Sequence, residues 1–487
     1  MNATHPWTAG QIAEAVRGRL CCGDPALPFA GVAIDSRTVE PGRFFVALVG
    51  EVHDGHRFVA EVAEKGIRGF VVSEDRLSDL PLSSLRETGA ACVAVPNTTR
   101  ALGDLAAYHR GRSAASVVAI TGSNGKTSTR RMTAAVVATR FETLSTRGNY
   151  NNEIGLPLTL LSLRPEHRWA VLELGMNHFG EIRRLGTICM PDVGVITNIG
   201  PAHLEGVGSI EGVAEAKAEL LETVRTGGTV VLNADDSRVM ALADRSDHAT
   251  LTFGLDESAA VRAAEVDVLP AEIGFELIIG GKRQRVRLRT GAPFMVSNAL
   301  AAAAVGRVLG IGLSDIARGL SRYHAVDNRM RRLALAGDIV VLDDTYNANP
   351  ASMAAAVQTL VEATGPGRKM AVFGDMLELG DSAERLHEEL GVLAAQSGLD
   401  RLYATGDHAV AVAEGAARAG LAAGSIHTGT KEEIVRDLLR QVRDGDRILV
   451  KGSRGMKMET VVAAVCDRLQ ESNASAPGNG DDMDTKR

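Results

Sequence analysis

The chain is poor in cysteine: five residues in 487, Cys21, Cys22, Cys92, Cys189 and Cys466, with no CxxC pair among them. That excludes the spacing of a zinc ribbon or a thioredoxin-type site, and the odd, scattered count fits a reducing compartment. An excess of positive charge is also lacking. Lys and Arg number 53 against 60 Asp and Glu, a formal charge of −7. This argues against a general nucleic-acid-binding surface and leaves room only for local basic pockets that take phosphates. No stretch reaches the roughly 20 apolar residues of a membrane span. The string MNATHPWTAGQIAEAVRGRL has no basic segment running into a long apolar one, so no secretory signal is expected. These absences predict a cytoplasmic protein with no nucleic-acid partner and no membrane span, and a monomer is the default.

What is present is ordinary for globular protein: 45% hydrophobic and 23% charged residues. At about 100–200 residues per domain, the length predicts about three domains, each able to bury a core without disulfide or zinc staples. Strand-like runs GVAIDSR (31–37), RFFVALVG (43–50) and RGFVVSE (68–74), with a helical pattern between the last two, predict a small α/β domain over 1–98. SVVAITG, WAVLELG, VGVITNIG and GTVVLNADD are almost wholly apolar, as strands of a mainly parallel sheet covered on both faces are. They place a second domain over 99–327, closed by the alanine-rich helix NALAAAAVGRVLG. A third set of strands, DIVVLDDTYN, RKMAVFGDM, RLYATGD and DRILVKGS, alternates with helical patterns and predicts a doubly wound domain over 328–470. The polar end, 471–487, reads as a disordered tail.

Chemistry concentrates after the strand SVVAITG. Gly122-Ser123-Asn124-Gly125-Lys126-Thr127-Ser128 joins that strand to a helix. Glycines allow backbone N–H groups to face phosphates, and the helix N-terminus favours negative charge. Lys126 is placed to reach the β/γ-phosphates and the Thr127 hydroxyl to hold Mg²⁺. Glu173 ends the strand WAVLE and can reach a metal near Thr127, although the residues alone leave a salt bridge or solvent contact open. His203, in TNIGPAHLEG, can serve as a metal ligand or general base, or only as a polar loop residue. Lys217, in a helical pattern, reads on its own as a solvated charge.

Taken together, TGSNGKTST (121–129), RGNYNNEIGLPLTLL (147–161), LELGMN (172–177), TNIGPAHLEGVGS (197–209) and AEAKAEL (214–220) resemble the ATP-dependent Mur ligases of peptidoglycan synthesis. DDTYNANPASM (343–353), VFGDMLELG (372–380) and LVKGSRGMKME (449–459), with DSRTVEPGRFFVAL (35–48) and GEVHDGH (50–56), narrow the resemblance. The branch they point to joins D-alanyl-D-alanine to UDP-N-acetylmuramoyl-tripeptide.

The resemblance implies three domains: one for the UDP-sugar, a P-loop ATPase-like central domain, and a C-terminal Rossmann-like domain. It implies ATP and two Mg²⁺ ions, held by Thr127, Glu173, His203 and a carbamylated Lys217. It places Asn298, Arg329 and Asp344 at ATP, with Asn233 bordering the adenine. It places Ser36, Arg37, Asn151 and Asn152 at the UDP-substrate, and Tyr346, Asn347 and Asn349 at the dipeptide. Residues 325–332 are the expected hinge.

Two departures from the family pattern stand out. Phe294 and Met295 replace a polar pair ahead of Asn298, and Asn328 replaces a glycine ahead of Arg329; asparagine tolerates the left-handed backbone such a turn needs. The rival readings are a ligase of the same fold adding another amino acid or a folate glutamate, a phosphate-loop ATPase switch, and a non-catalytic UDP-sugar-binding protein.

Overall fold

The computed structural model describes residues 7–50, 52–324 and 328–474. Glu51 of the GEVHDGH string, the first three residues of the expected hinge and residues 475–487 of the expected tail lie outside them, as do the first six residues of the chain. The final helix runs Glu459–Ala474, so the tail segment begins with four helical residues. The chain gathers into two compact bodies. One takes the chain up to Asn198 with Ala214–Arg262 and Ala299–Leu320; the other takes Ile199–Val213, Ala263–Asn298 and the chain from Ser321 onward.

In the first body a five-stranded sheet runs in the spatial order Arg19–Cys22, Ala91–Val95, Gly69–Ser73, Arg43–Val46, Gly31–Ala33. Only its first pair is antiparallel. Phe45, Phe70, Val59, Val62 and Leu85 fill one face of it. Trp7, Ile12, Phe44 and Val93 fill the other. In GEVHDGH, Asp54 accepts from His56 Nδ1–H at 2.6 Å, and His56 Nε2 accepts from the Ser73 N–H at 2.8 Å. The motif therefore staples its loop to the strand Gly69–Ser73.

Six parallel strands follow in the same body, in the order Ala249–Gly254, Thr229–Asn233, Val193–Ile196, Ser116–Thr121, Trp169–Glu173, Thr143–Ser145. The four central strands are the apolar runs of the sequence, buried on both faces, while Ala249–Gly254 and Thr143–Ser145 at the two ends of this set are more exposed. The chain enters at Ser116–Thr121, lays Thr143–Ser145 at the edge, inserts Trp169–Glu173 between the two, then crosses to lay Val193–Ile196 on the other side. That reversal opens a crevice at the carboxyl ends of these strands, the place where ligands bind in such sheets. The alanine-rich helix Met295–Val308 has Ala299 through Val305 at zero exposure, as befits a helix apolar all round its circumference.

The second body holds a six-stranded sheet: Arg331–Ala334, Val340–Asp344, Arg447–Lys451, Lys369–Gly374, Arg401–Thr405, Ile426–Thr428. Its first strand is an antiparallel edge and the rest are parallel. Arg447–Lys451, last in sequence, lies between the first two parallel strands made, so Asp344, Lys451 and the segment after Gly374 share one end of the sheet. This body also contains an antiparallel hairpin, Glu272–Ile279 with Lys282–Leu288. The sequence reading left this hairpin unassigned. Its turn is Gly280-Gly281, both at positive φ (55° and 77°), the arrangement a two-residue hairpin loop requires.

His387 is buried beneath the GDMLELG segment. Its Nε2 accepts the Met376 N–H at 2.9 Å, its Nδ1–H donates to the Ala383 carbonyl at 2.6 Å, and its ring stacks on His408 at 4.5 Å. Both ring nitrogens are used by a neutral imidazole, and burial pushes its pKa below the usual value near 6.5. The unfolded chain binds this proton more readily than the folded one. The stability His387 contributes is therefore complete above about pH 6.5 and declines as pH falls below it. Urea unfolding at pH 7.5 and 5.5 is expected to show that loss, and His387→Gln, whose amide oxygen accepts in place of Nε2, to reduce the pH dependence. An unchanged pH dependence in the variant would contradict the assignment.

Candidate active site

The loop after Ser116–Thr121 is set by two glycines. Gly122 has φ +147°, and a Cβ there would lie 1.9 Å from Thr197 Oγ1. Gly125, at φ +79°, starts the helix Lys126–Val137. The residues after the neighbouring strand pin the loop from behind. Ser123 N–H donates to the Asn198 carbonyl at 3.0 Å and Asn124 N–H to Asn198 Oδ1 at 2.8 Å. Thr197 Oγ1–H and Asn198 Nδ2–H donate to the Asn124 carbonyl, at 2.6 and 3.1 Å. The result is a fixed concavity at a helix N-terminus, built for an anion. Lys126 Nζ rests on the Gly122 and Ser123 carbonyls, at 2.8 and 3.2 Å, and Ser128 is buried in the first turn of the helix.

Glu173 ends the adjacent strand and is 2% exposed. Its Oε1 accepts from Thr127 Oγ1–H at 3.1 Å and from Asn151 Nδ2–H at 3.0 Å. Its Oε2 receives no hydrogen bond, and Arg130 Nε stands 3.5 Å away. A buried carboxylate oxygen left open beside a hydroxyl is a suitable donor pair for a hard cation such as Mg²⁺. Among the described residues no three His, Cys, Asp or Glu cluster to hold a metal by themselves. The donor set thus fits a cation completed by substrate oxygens.

Arg130 was not singled out from the sequence. It stands four residues beyond Lys126, on the same helix face, and donates to Ser145 Oγ at 3.2 Å and to the Thr146 carbonyl. Thr146 Oγ1 in turn accepts the Glu173 N–H at 3.1 Å. The one-turn spacing from the phosphate-loop lysine was the available signal.

Lys217 overturns the plain reading of a helix lysine. It is 1% exposed; its backbone carbonyl accepts the Leu220 N–H at 3.1 Å, and among the described residues no acidic side chain is paired with its amine. Burial holds its pKa well below the usual lysine range, and the positive charge of Lys126 adds to the effect. Burial and the neighbouring cation both favour the neutral, nucleophilic form of the amine.

Other predicted residues of the first body carry local structure. Asn152 Oδ1 accepts from the Ile154 and Gly155 N–H groups, at 3.2 and 2.9 Å, starting the helix Gly155–Leu160. Asn233 Nδ2–H donates to the Thr197 carbonyl at 2.9 Å. Arg37 is exposed and forks onto Asp35 at 2.9 and 2.7 Å, which holds that carboxyl at about 2. The Ser36 carbonyl accepts from Lys65 Nζ at 3.1 Å.

In the second body, Asp344 accepts from Lys451 Nζ at 2.5 Å and from the Met330 N–H at 3.0 Å. Lys451, 2% exposed and also donating to the Asn347 carbonyl at 2.8 Å, was another residue the sequence reading passed over. The Arg329 guanidinium stacks 3.9 Å from the Tyr346 ring centroid, and Arg454 lies 5.6 Å from the same ring. Asn347 Oδ1 accepts from the Arg454 N–H at 3.4 Å. Asn349 caps the helix Pro350–Glu362 in a reciprocal pair with Ser352. Asn298 is buried, its Nδ2 donating to Met295 Sδ at 3.5 Å, so the departing Met295 packs against it. Asn328 has φ +62°, the left-handed turn expected of it. His203 is bonded to Glu378.

Gly122→Ala is expected to cost about 2 kcal/mol or more of stability through the clash with Thr197 and the positive φ. It should weaken nucleotide binding at least about tenfold, a loss of roughly 1.4 kcal/mol. Titration with a fluorescent ATP analogue, beside thermal unfolding, checks both; unaltered nucleotide affinity would contradict the loop's role.

Comparison with known proteins agrees with this geometry. The Mur ligase family catalytic domain matches residues 28–110, the Mur ligase middle domain 120–306, and the Mur ligase glutamate ligase domain 328–454. The chain is 36% identical to the UDP-N-acetylmuramoyl-tripeptide–D-alanyl-D-alanine ligase of Bacillus subtilis, covering 93% of this chain and 97% of that protein. It is likewise 36% identical to the Escherichia coli ligase of the same name, covering 94% and 98%. Among solved structures, MurF from Acinetobacter baumannii superposes with a TM-score of 0.87 at 35% identity, over 96% of this chain and all of that one. MurF ligase from Thermotoga maritima in complex with ADP does so with a TM-score of 0.80 at 28% identity, over 91% and 98%. The chain belongs to the Mur ligase family, with the three-domain α/β fold of that family, in its MurF branch.

Proposed function

We propose that this chain is an ATP-dependent ligase that joins D-alanyl-D-alanine to UDP-N-acetylmuramoyl-tripeptide, forming the pentapeptide precursor of peptidoglycan with ADP and phosphate. The observation that carries the reading is the near-complete coverage of two enzymes of that name at 36% identity, in a chain whose phosphate loop, Glu173 and buried Lys217 are all in place. The γ-phosphoryl group passes to the tripeptide's terminal carboxylate, breaking its bond to ADP and making an acyl phosphate. The dipeptide amine then attacks the acyl carbon, loses a proton, and phosphate departs as the amide forms.

Both reactants of the first step are anions, so their approach needs fixed positive charge. Lys126 and the N–H groups at the start of the helix, residues 125–128, supply it at the β/γ-phosphates. Asn298, Arg329 and Asp344 belong to the ATP site in this reading. Ser36, Arg37, Asn151 and Asn152 belong to the UDP-substrate, and Tyr346, Asn347 and Asn349 to the dipeptide. Two Mg²⁺ ions would be held by Thr127, Glu173, His203 and a carbamylated Lys217, supplying charge neutralisation and orientation. The neutral Lys217 amine suits carbamylation: it bonds to CO₂, releases one proton, and becomes an anionic oxygen donor. We place domain boundaries near residues 98 and 327, and read the protein as a cytoplasmic monomer; no described helix is long and apolar enough to cross a membrane.

Phosphate release with ATP, Mg²⁺ and bicarbonate is expected to require both UDP-N-acetylmuramoyl-tripeptide and D-alanyl-D-alanine. Mass spectrometry should find the UDP-muramoyl-pentapeptide. Release from ATP alone with no new amide would instead support an ATPase switch. Lys217→Ala is expected to lose about 10²-fold or more of turnover and to recover part of it with short-chain carboxylates; full activity without additive would remove the lysine from the mechanism.

A further inference from the structure

The GDMLELG segment takes no part in the chemistry described so far, yet one of its side chains meets a proposed metal ligand. Glu378 Oε2 lies 2.6 Å from His203 Nδ1, across 175 residues of sequence. A second bond runs beside it, from the Glu205 N–H to the Glu378 carbonyl at 3.2 Å. Both residues adopt left-handed backbone, His203 at φ 56° and Glu378 at φ 62°. Such conformations cost free energy for residues other than glycine and persist where surrounding structure imposes them.

Glu378 is anchored from both directions. Met376 N–H donates to His387 Nε2 at 2.9 Å and Leu377 N–H to Ser453 Oγ at 2.8 Å. Beyond it, Gly380 (φ 56°) passes close to Glu205, where a Cβ would lie 3.5 Å from the Glu205 Cα. On the other side, the His203 carbonyl accepts from Gly206 and Val207 N–H, at 3.1 and 3.3 Å. The carboxylate and the imidazole are thus presented to one another by two braced loops, not by two flexible surface side chains.

We propose that Glu378 is a positioning residue for His203, an inference that rests on the reading of His203 as a metal-site ligand. The carboxylate accepts the Nδ1 proton, which fixes the tautomer and leaves the Nε2 lone pair as the only donor of the ring. Carboxylates placed behind ligating histidines work in this way, orienting the ring and raising its basicity. The single glutamate of GDMLELG therefore makes the ligating form of His203 depend on the seating of the 374–380 segment. An exposed ion pair without that role would contribute little to stability and nothing to the tautomer.

The test uses the full chain labelled with ¹⁵N-histidine. Long-range ¹H–¹⁵N spectra should show His203 protonated at Nδ1. Glu378→Ala should move the proton to Nε2, and Glu378→Gln, whose amide oxygen still accepts, should keep it on Nδ1. In steady-state assays Glu378→Ala should raise the half-saturating Mg²⁺ concentration about tenfold or more with little change in the KM for ATP, and Glu378→Gln should restore most of it. An unchanged His203 tautomer in Glu378→Ala overturns the proposal. A changed tautomer with unchanged Mg²⁺ dependence upholds the positioning role and overturns the reading of His203 as a ligand.

Discussion

A lysine amine buried within reach of a second lysine's field, with no acidic partner among the described residues, is the constraint on which the proposed site depends. Lys217 is stripped of water, and Lys126 makes a second positive charge more costly still. The cheapest form is the neutral amine. In the proposed mechanism, conversion to a carbamate inverts the charge of that amine and adds an oxygen donor, and Lys126, which disfavours a charge on Lys217, is also the cation assigned to the phosphates. Glu173, with one oxygen satisfied by Thr127 and Asn151 and the other open, completes a set in which every group is poised for a ligand that brings its own oxygens.

The same architectural device appears twice. In the parallel sheet of the first body, the reversal of strand order at Ser116–Thr121 puts the phosphate loop and Glu173 at adjacent strand ends. In the six-stranded sheet of the second, insertion of Arg447–Lys451 beside Val340–Asp344 puts Lys451 against Asp344, with the segment after Gly374 at the next strand end. Both arrangements follow from the strand order of a parallel sheet. The two ends differ in their loops: one carries the glycine loop at a helix N-terminus, the other carries Asp344, Tyr346, Asn347 and Arg329.

The parallel strands were legible in the sequence because strands buried on both faces have nothing polar to confuse the pattern; SVVAITG, WAVLELG and DRILVKGS all became strands. The hairpin Glu272–Leu288 was not found, because its alternation of charged and apolar residues is short and its Gly280-Gly281 signal was overlooked. At the site, the strand–loop–helix arrangement around Gly122–Ser128 could be read from the apolar strand before it and the string TGSNGKTST, whereas the burial of Lys217 could not: it is a tertiary fact, invisible in a helical pattern, and only the family resemblance singled the residue out. Arg130 and Lys451 were missed because a buried, paired cation looks in sequence like any surface one. Asn349 and Asn152 show the converse. Their side chains cap helices in the structure, the ordinary chemistry of asparagine before a helix.

The most direct test of the account is a ¹³C spectrum of the protein equilibrated with ¹³C-bicarbonate. A neutral, buried Lys217 predicts one carbamate resonance that disappears in Lys217→Ala and persists in variants of exposed lysines such as Lys282. Absence of any carbamate signal, in a protein that still turns over ATP with both acceptors, would contradict it.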